Sequence, residues 1–202
     1  PNVKDTIPLY KTTDGGATWN VVNYAGPYVK GLCAIDIVKE EFVNHGVLDV
    51  KYHVYAVGRV GTPANFMVSH DGGNTFTSNS MMADCKMLFD IKMLNKNLGF
   101  AAAATDEDIA QSNAQILKTT DGGENWKLIL HTNDSSGVGD MIMDPTNPNK
   151  IFVNMWQHHR TPWSFTSGGK TSGLYVTFDA GKTFKKLGKE EGLPSGDYGR
   201  IG

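Results

Sequence analysis

One short pattern occurs four times in this chain and restricts its fold more than any other feature. It occupies residues 12–19, 69–76, 119–126 and 177–184. In each copy a hydroxyl residue stands two positions before an aspartate, a glycine two positions after it and an aromatic residue five positions after it. The aspartates are Asp14, Asp71, Asp121 and Asp179, which are 57, 50 and 58 residues apart. Periods of this size are typical of solenoids and propellers.

The residue types of the pattern predict a tight hairpin turn. The aspartate can accept hydrogen bonds from the backbone amides that follow it, and the glycine supplies the positive φ that such a turn requires. The aromatic residue can fold under the turn and bury its ring between neighbouring sheets. The residues to which we assign this structural role are Asp14, Gly16, Trp19, Asp71, Gly73, Phe76, Asp121, Gly123, Trp126, Asp179, Gly181 and Phe184. Single carboxylates at these turns do not predict calcium sites, because calcium loops supply several.

Apolar segments flank each copy as a four-stranded antiparallel blade requires. The strands expected to form the inner pairs are 32–38 with 53–57, 87–94 with 99–104, and 141–143 with 151–156. The sequence therefore predicts an all-β chain, a β-propeller with about three full blades and partial blades at both ends. The boundaries are a partial blade at 1–22, blades at 23–80, 81–132 and 133–188, and the start of another at 189–202. Because a ring usually needs four to eight blades, we expect further blades from a longer chain or from another copy.

The four repeats resemble the Asp-box, or BNR repeat, of sialidases, sortilin-type Vps10 domains, xyloglucan-cleaving glycosidases and photosystem II assembly factors. Residues 10–130, with the stretches 53–59 and 105–108, resemble photosystem II stability and assembly factors. Residues 137–202, with the stretches 139–141, 156–160, 162–163, 167–169 and 192–202, are similar to bacterial sortilin-like Vps10 repeats. These resemblances imply a β-propeller that binds a protein, peptide or glycan without catalysis. We also expect a secreted or periplasmic location.

Composition excludes several classes of partner and site. The 19 basic and 21 acidic residues produce no broad positive field, so nucleic acid is not a predicted partner. No apolar run approaches the roughly 20 residues that span a bilayer, so no membrane span is predicted. Cys33 and Cys85 lack any metal-site spacing, and we expect two buried free thiols. The sequence predicts no cofactor and no metal.

The candidate ligand-binding residues fall in, or directly before, the loops that join the second and third strands of each blade. They are Arg59, Trp156, His158, His159, Arg160 and Trp163. Arg59 and Arg160 are two of only three arginines, and their guanidinium groups suit a bidentate carboxylate clamp. The alternative is that they form ion pairs with nearby acidic loops. We expect residues 157–172 to be an irregular loop whose aromatic rings either bind ligand or cover the blade. Adjacent histidines on an extended backbone point in opposite directions, which argues against a shared metal.

A glycoside hydrolase is the alternative function. Such enzymes hold two carboxyl groups across the scissile bond. The candidates are Asp106, Glu107 and Asp108, paired with Asp36, Asp90 or Asp140 near the inner strands. The resemblance to sialidases would also imply an Arg-Ile-Pro signature, from which Arg200-Ile201-Gly202 departs at the last position. Recognition without catalysis is therefore the function that the sequence favours.

Overall fold

The structure, a computed structural model, describes residues 9–27, 29, 31–58, 64–106, 112–132 and 136–201. These residues form sixteen β-strands and a 3₁₀ helix over Lys189–Glu191, with no α-helix among them. The predicted all-β fold class, built from four-stranded antiparallel blades, is confirmed. Within the same residues, no helix has the length and apolar character needed to cross a membrane.

The chain divides into two compact units. The first comprises the chain up to Ala101 together with Thr119–Trp126, and the second comprises Ala102–Lys118 and the chain from Lys127 onward. The first unit contains a two-stranded sheet of β1 (Tyr10–Lys11) and β2 (Asn20–Val21). It also contains a sheet in the order β3-β7-β6-β5-β4, made of β3 (Asn23–Ala25), β4 (Leu32–Asn44), β5 (Val47–Gly58), β6 (Asn65–Ser69) and β7 (Thr75–Ser80). Strands β4 to β7 are antiparallel, whereas β3 pairs in parallel with β7 and was not predicted.

The remaining sheets repeat the four-stranded order. One follows the order β11-β10-β9-β8, with β8 (Met87–Met93), β9 (Gly99–Ala104), β10 (Ala114–Thr119) and β11 (Lys127–Leu130). The other, in the second unit, follows the order β12-β13-β15-β16, with β12 (Ser136–Met143), β13 (Ile151–Thr161), β15 (Gly173–Thr177) and β16 (Lys185–Lys186). An additional strand, β14 (Ser164–Ser167), pairs with β13.

Two hairpins are longer than the sequence predicted. Strands β4 and β5 continue to a two-residue turn at His45-Gly46, where both φ angles are positive, at 49° and 81°. Such a turn follows the right-handed twist of the strands and lets their pairing continue to the tip. Residues 157–172 are not the irregular loop that we expected. Residues 157–161 extend β13 and residues 164–167 form β14, because Pro162 and Trp163 make a short turn between the two strands.

Both faces of the β3-β7-β6-β5-β4 sheet are packed. On one face, Val54, Ala56, Met67 and Phe76 form a core with Val22 and Val29. On the other face, the Tyr55 hydroxyl donates to the carbonyl of Lys96 at 3.0 Å, and the Phe66 ring meets Trp126 edge to face at 5.6 Å. Both cysteines are free thiols. Burial raises the pKa of Cys85 to about 12, but the expectation of a buried thiol was wrong for Cys33, which is exposed on the edge strand β4.

The four turns of the repeated pattern, here called the aspartate turns, share one hydrogen-bond arrangement. In the first, Thr12 Oγ1 donates to Asp14 Oδ1 at 2.8 Å and accepts from the amide of Gly16 at 2.8 Å. Asp14 also accepts the amide and the hydroxyl of Thr18, at 2.9 and 2.6 Å. The other three turns repeat these bonds around Asp71, Asp121 and Asp179, with Asn125 in the place of the last hydroxyl in the third turn.

These bonds stabilise the ionised carboxylates. The hydroxyl and amide of Thr18 lower the pKa of Asp14 to about 2, and the amide and side chain of Asn125 do the same for Asp121. The pKa values of Asp71 and Asp179 are lowered for the same reason. Two consecutive residues after each aspartate have positive φ, and in the fourth turn the first of them is Ala180, at 58°.

The aromatic residues of the turns do not all have the burial expected from the sequence. Phe76 is 5% exposed, whereas Trp19 is 60% exposed, which contradicts the expected burial of its ring. Both Trp19 and Trp126 fold under their turns and donate Nε1–H to the carbonyls of Gly16 and Gly123, each at 3.1 Å. Trp126 also contacts the ring of Phe66, and no such ring partner is found for Trp19 among the described residues. Phe184 is half-buried.

Candidate ligand-binding face

The β13–β14 hairpin brings together most of the described candidate ligand-binding residues. Its strands pair His158 with Ser167, His159 with Thr166, and Arg160 with Phe165. Directly opposed residues of an antiparallel pair lie on the same face, and alternate residues of a strand do too. Trp156, His158, Arg160, Phe165 and Ser167 therefore share one face of the hairpin, which we call the aromatic face.

The remaining two described candidates lie elsewhere on the hairpin. His159 is on the opposite face, so the adjacent histidines diverge as the sequence predicted. Trp163 is at the turn and is 86% exposed. Its ring is therefore available to solvent but is not part of the packed aromatic face.

The rings of the aromatic face pack on one another. Trp156 stacks on His158 with ring centroids 4.2 Å apart and an interplanar angle of 18°. Phe165 meets the edge of Trp156 at 6.1 Å and 69°, and its side chain is 55% exposed. Trp156 Nε1 donates to Ser167 Oγ at 3.0 Å, which ties the indole to β14. These contacts fix the position of the indole within the hairpin, and Phe165 presents its exposed surface to solvent.

The segment that precedes the last described residue, Ile201, packs on the same strand. The guanidinium of Arg200 lies 5.7 Å from the centre of the Trp156 ring, within cation–π range. Tyr198 forms an isolated bridge with Gly169, and Asn154 Nδ2 donates to the carbonyl of Ile201. Gly168 has φ +109°, and a Cβ there would lie 2.8 Å from the carbonyl oxygen of Tyr198, so this approach requires glycine.

The aromatic face is cationic. Arg160 and Arg200 supply two guanidinium groups, and the residues that form the face include no carboxylate. Fixed positive charge beside packed rings favours a ligand with a carboxylate and an apolar part. Sequence reasoning missed Arg200, because only the fold brings residue 200 to Trp156.

The carboxylates considered for catalysis are engaged in local bonds or fall outside the described residues. Glu107 and Asp108 lie outside the described residues, and so does the ligand-binding candidate Arg59. Asp106 is half-buried, and its amide donates to Ser112 Oγ at 3.4 Å. Asp36 accepts Lys92 Nζ at 2.8 Å and the amide of Met93 at 2.7 Å. Asp90 and Asp140 each accept the amide of the next residue at 2.8 Å.

A second polar cluster, which sequence reasoning missed, lies where the β4–β5 hairpin leaves its sheet. His53 Nε2 bonds Glu40 Oε2 at 2.8 Å, and His53 Nδ1 bonds His70 Nδ1 at 2.7 Å. Lys96 Nζ donates to Glu40 Oε1 at 2.6 Å. The only sequence signal for this cluster is the histidine that begins the otherwise apolar stretch 53–57. We call these four residues, Glu40, His53, His70 and Lys96, the arm-base cluster.

Charge and burial shift the pKa values of this cluster in a consistent way. The hydrogen bonds from Lys96 and His53 lower the pKa of Glu40. Burial, with the nearby charges of His53 and Lys51, lowers the pKa of His70. The His53 side chain is 3% exposed, so the cluster holds the hairpin to the sheet from inside. Among the described residues, no group of three or more His, Cys, Asp and Glu side chains is placed to hold a metal ion.

Comparison with known proteins gives no family for the chain. No family model and no curated protein matches the sequence. Among solved structures, the chain is similar to one described as YCF48 bound to D1 peptide, with a TM-score of 0.43 and 14% identity. The match covers 92% of this chain and 62% of that chain, so this chain spans less than two thirds of its length. A likeness this distant carries no argument about function, which has to be argued from the site.

Proposed function

We propose that this chain is a non-catalytic recognition module that binds an extended, carboxylate-bearing peptide of a partner protein on the aromatic face. One observation carries the proposal. Trp156, His158 and Phe165 form a packed stack with the guanidinium groups of Arg160 and Arg200 beside it, and the five residues of the aromatic face include no carboxylate. A preordered apolar surface lowers the entropic cost of binding, and a guanidinium adds geometric specificity for a carboxylate.

The dimensions of the face suit an extended peptide. From Trp156 to Arg160 the strand rises about 13 Å, at roughly 3.3 Å per residue, which is the length of about four extended peptide residues. An apolar side chain would lie on the exposed part of Phe165, and a carboxylate would pair with Arg160. The expected ligand is therefore a peptide in which apolar and acidic residues alternate.

The arrangement supports a peptide better than a glycan or a hydrolysis reaction. Sugars stack on a free aromatic face, but His158 covers one face of Trp156 and Arg200 also lies over the ring. Hydrolysis requires two opposed carboxyl groups, and the aromatic face has none. The glycoside hydrolase alternative therefore receives no support from this site.

A peptide-display selection on the full chain tests the proposal. We expect enrichment of peptides with alternating apolar and acidic residues, and at least about a ten-fold loss of affinity for the enriched peptide in Arg160→Ala. His159→Ala is the matched control, because His159 lies on the opposite face of the same strand and should leave the affinity unchanged. Selection of basic peptides, or equal losses in both variants, would reject the aromatic face as the binding site.

A further inference from the structure

The β4–β5 hairpin forms an arm that extends beyond the rest of its sheet. Strand β5 pairs with β6 only from Val54 onward, so among the described strands residues 39–44 and 47–52 pair only with each other. One further backbone bond, from the amide of Gly72 to the carbonyl of Tyr52 at 3.0 Å, lies at the base of this segment. At about 3.3 Å per residue, this arm is roughly 20 Å long. Two-stranded ribbons of this kind are at best marginally stable in water by themselves. The arm-base cluster anchors one end of the arm, and the rest requires other support.

The outer strand of the arm has an open edge. Strand β4 ends the sheet order, so none of the strands that the structure describes pairs with the other side of its backbone. The turn at His45-Gly46 directs the carbonyl of Asn44 toward the amide of Val47. Backbone groups alternate in direction along an antiparallel strand. The amides and carbonyls of Ile37, Lys39, Glu41 and Val43 therefore point outward.

The first and last of these four residues have exposed apolar side chains. Ile37 is 58% exposed and Val43 is 72% exposed, while the side chains of Lys39 and Glu41 between them form an ion pair at 2.5 Å. A long edge strand with this much apolar exposure is a template for strand addition. The occupant of the edge has to match its order of apolar, basic, acidic and apolar positions.

We propose that the occupant is β4 of a second copy of this chain, paired antiparallel and centred on Glu40. In this register Ile37 lies opposite Val43 of the second copy, and Lys39 lies opposite Glu41. The outward backbone groups of each such pair exchange two hydrogen bonds. Val38 lies opposite Phe42 on the other face of the joined sheet. The strand is therefore complementary to itself in both charge and apolar character.

Neighbouring registers do not have this complementarity. Centring the pair on Lys39 places the two lysines opposite each other, and centring it on Glu41 does the same with two glutamates. Like charges directly opposite one another destabilise a strand pair. At the proposed centre the two Glu40 side chains meet, but each is already paired with Lys96 at 2.6 Å and His53 at 2.8 Å within its own copy.

Charge reversal tests this dimer directly, with sedimentation velocity on the full chain as the readout. The unaltered chain should sediment as a dimer. Lys39→Glu places a glutamate opposite Glu41 of the other copy at two points, one on each side of the central Glu40 pair. Glu41→Lys places a lysine opposite Lys39 at the same two points. Each variant alone should weaken dimerisation at least about ten-fold. An equimolar mixture of the two should dimerise again, because both pairs between positions 39 and 41 in the mixed dimer join an acid to a base.

The mixture separates the proposal from a purely structural effect. Each single variant also loses the Lys39–Glu41 ion pair within its own arm, and mixing cannot restore that pair. Asp49→Lys is the matched control: it makes the same acid-to-base change on β5, away from the open edge, and should remain dimeric. A monomeric unaltered chain, single variants that stay dimeric, or a mixture that stays monomeric would each overturn the proposal. Dimerisation and ligand binding are separate claims, since none of these variants alters the aromatic face.

Discussion

The four aspartate turns and the two long hairpins differ in how closely they repeat. Every turn contains the same bonds from a hydroxyl and two amides, with the same sequence of positive φ angles. The hairpins share only their extension beyond the neighbouring strands of their sheets. The β13–β14 hairpin covers its face with its own stacked rings, whereas the β4–β5 arm leaves an apolar edge exposed and is anchored by a buried polar cluster.

This difference separates the scaffold, which the turns build, from the surfaces that we propose for recognition. A local turn needs only the residues within it, so the same eight-residue pattern produces the same structure four times. A hairpin that extends beyond its sheet must be supported by particular neighbours, which differ from sheet to sheet. The surfaces that we propose for ligand binding and dimerisation are accordingly in the hairpins and not in the turns.

The largest predicted effect compares two turns that have the same backbone and different neighbours. Gly123 and Gly16 have φ angles of 98° and 96°, but a Cβ at Gly123 would overlap the ring of Phe66, whereas at Gly16 the nearest atom, of Trp19, is 3.8 Å away. Gly16→Ala should cost about 1–2 kcal/mol from backbone strain alone. Gly123→Ala should cost about 3–4 kcal/mol, because overpacking adds to the strain. Urea denaturation measures both, and equal losses would show that the third turn is not packed against β6.

The next prediction compares one residue type in the two hairpins. His53→Ala removes the link between Glu40 and His70 inside the sheet and should lower the free energy of unfolding by about 2–3 kcal/mol. His159→Ala, on the exposed back of the β13–β14 hairpin, should change it by less than about 0.5 kcal/mol. Urea denaturation of the two variants at pH 7 is the measurement. A loss of less than 1 kcal/mol in His53→Ala would mean that the cluster does not anchor the arm.

Within the β13–β14 hairpin, the two tryptophans should behave differently. Trp156→Ala removes a ring that contacts His158 and Phe165 and should cost about 1–2 kcal/mol. Trp163→Ala removes an 86% exposed ring and should be neutral within about 0.5 kcal/mol. Thermal unfolding followed by circular dichroism measures both. Similar losses would show that the aromatic face is not a packed unit.

The last and smallest effect is the response of the two regions to acid. The pKa of His70 is lowered from 6.5, so its contribution to stability is present above pH 6.5 and is lost as the pH falls below it. The groups that set this pKa besides burial are His53, Lys51, Asp71 and Lys96. The carboxylates of Asp14 and Asp121, with pKa lowered from 3.8 to about 2, contribute fully above pH 3.8 and lose that contribution as the pH falls toward 2.

Melting temperatures measured from pH 8 to pH 2 should therefore fall in two steps. His70→Gln should remove the first step and leave the second, while Asp14→Asn with Asp121→Asn should reduce the second only. Melting curves that neither set of substitutions alters would show that His70 and the aspartate turns do not titrate as their burial and hydrogen bonds require.

The sequence predicted the repeated part of the fold and only some of the unrepeated part. The turns and most strand positions follow from short patterns of glycine, aspartate and alternating apolar residues, and the inner strands were expected close to where they lie. Residues 157–172 were misassigned, because proline, glycine and serine favoured a loop over a strand that continues past its sheet. Trp156, His158 and Arg160 of the aromatic face were candidates from the sequence, and their binding role stays a prediction. Arg200 and the arm-base cluster depend on contacts between residues distant in sequence, such as Glu40 with Lys96.

The most direct test of the account is a two-dimensional NMR titration that follows the indole N–H signals of the chain. The four tryptophans give one signal each, and Trp156 Nε1–H reports on the aromatic face through its bond to Ser167. Adding a peptide of alternating leucine and glutamate should shift the Trp156 signal and leave those of Trp19 and Trp126 in place, and Arg160→Ala should abolish the shift. A bound peptide that shifts only Trp19 or Trp126, or that shifts Trp156 equally in Arg160→Ala, would contradict it.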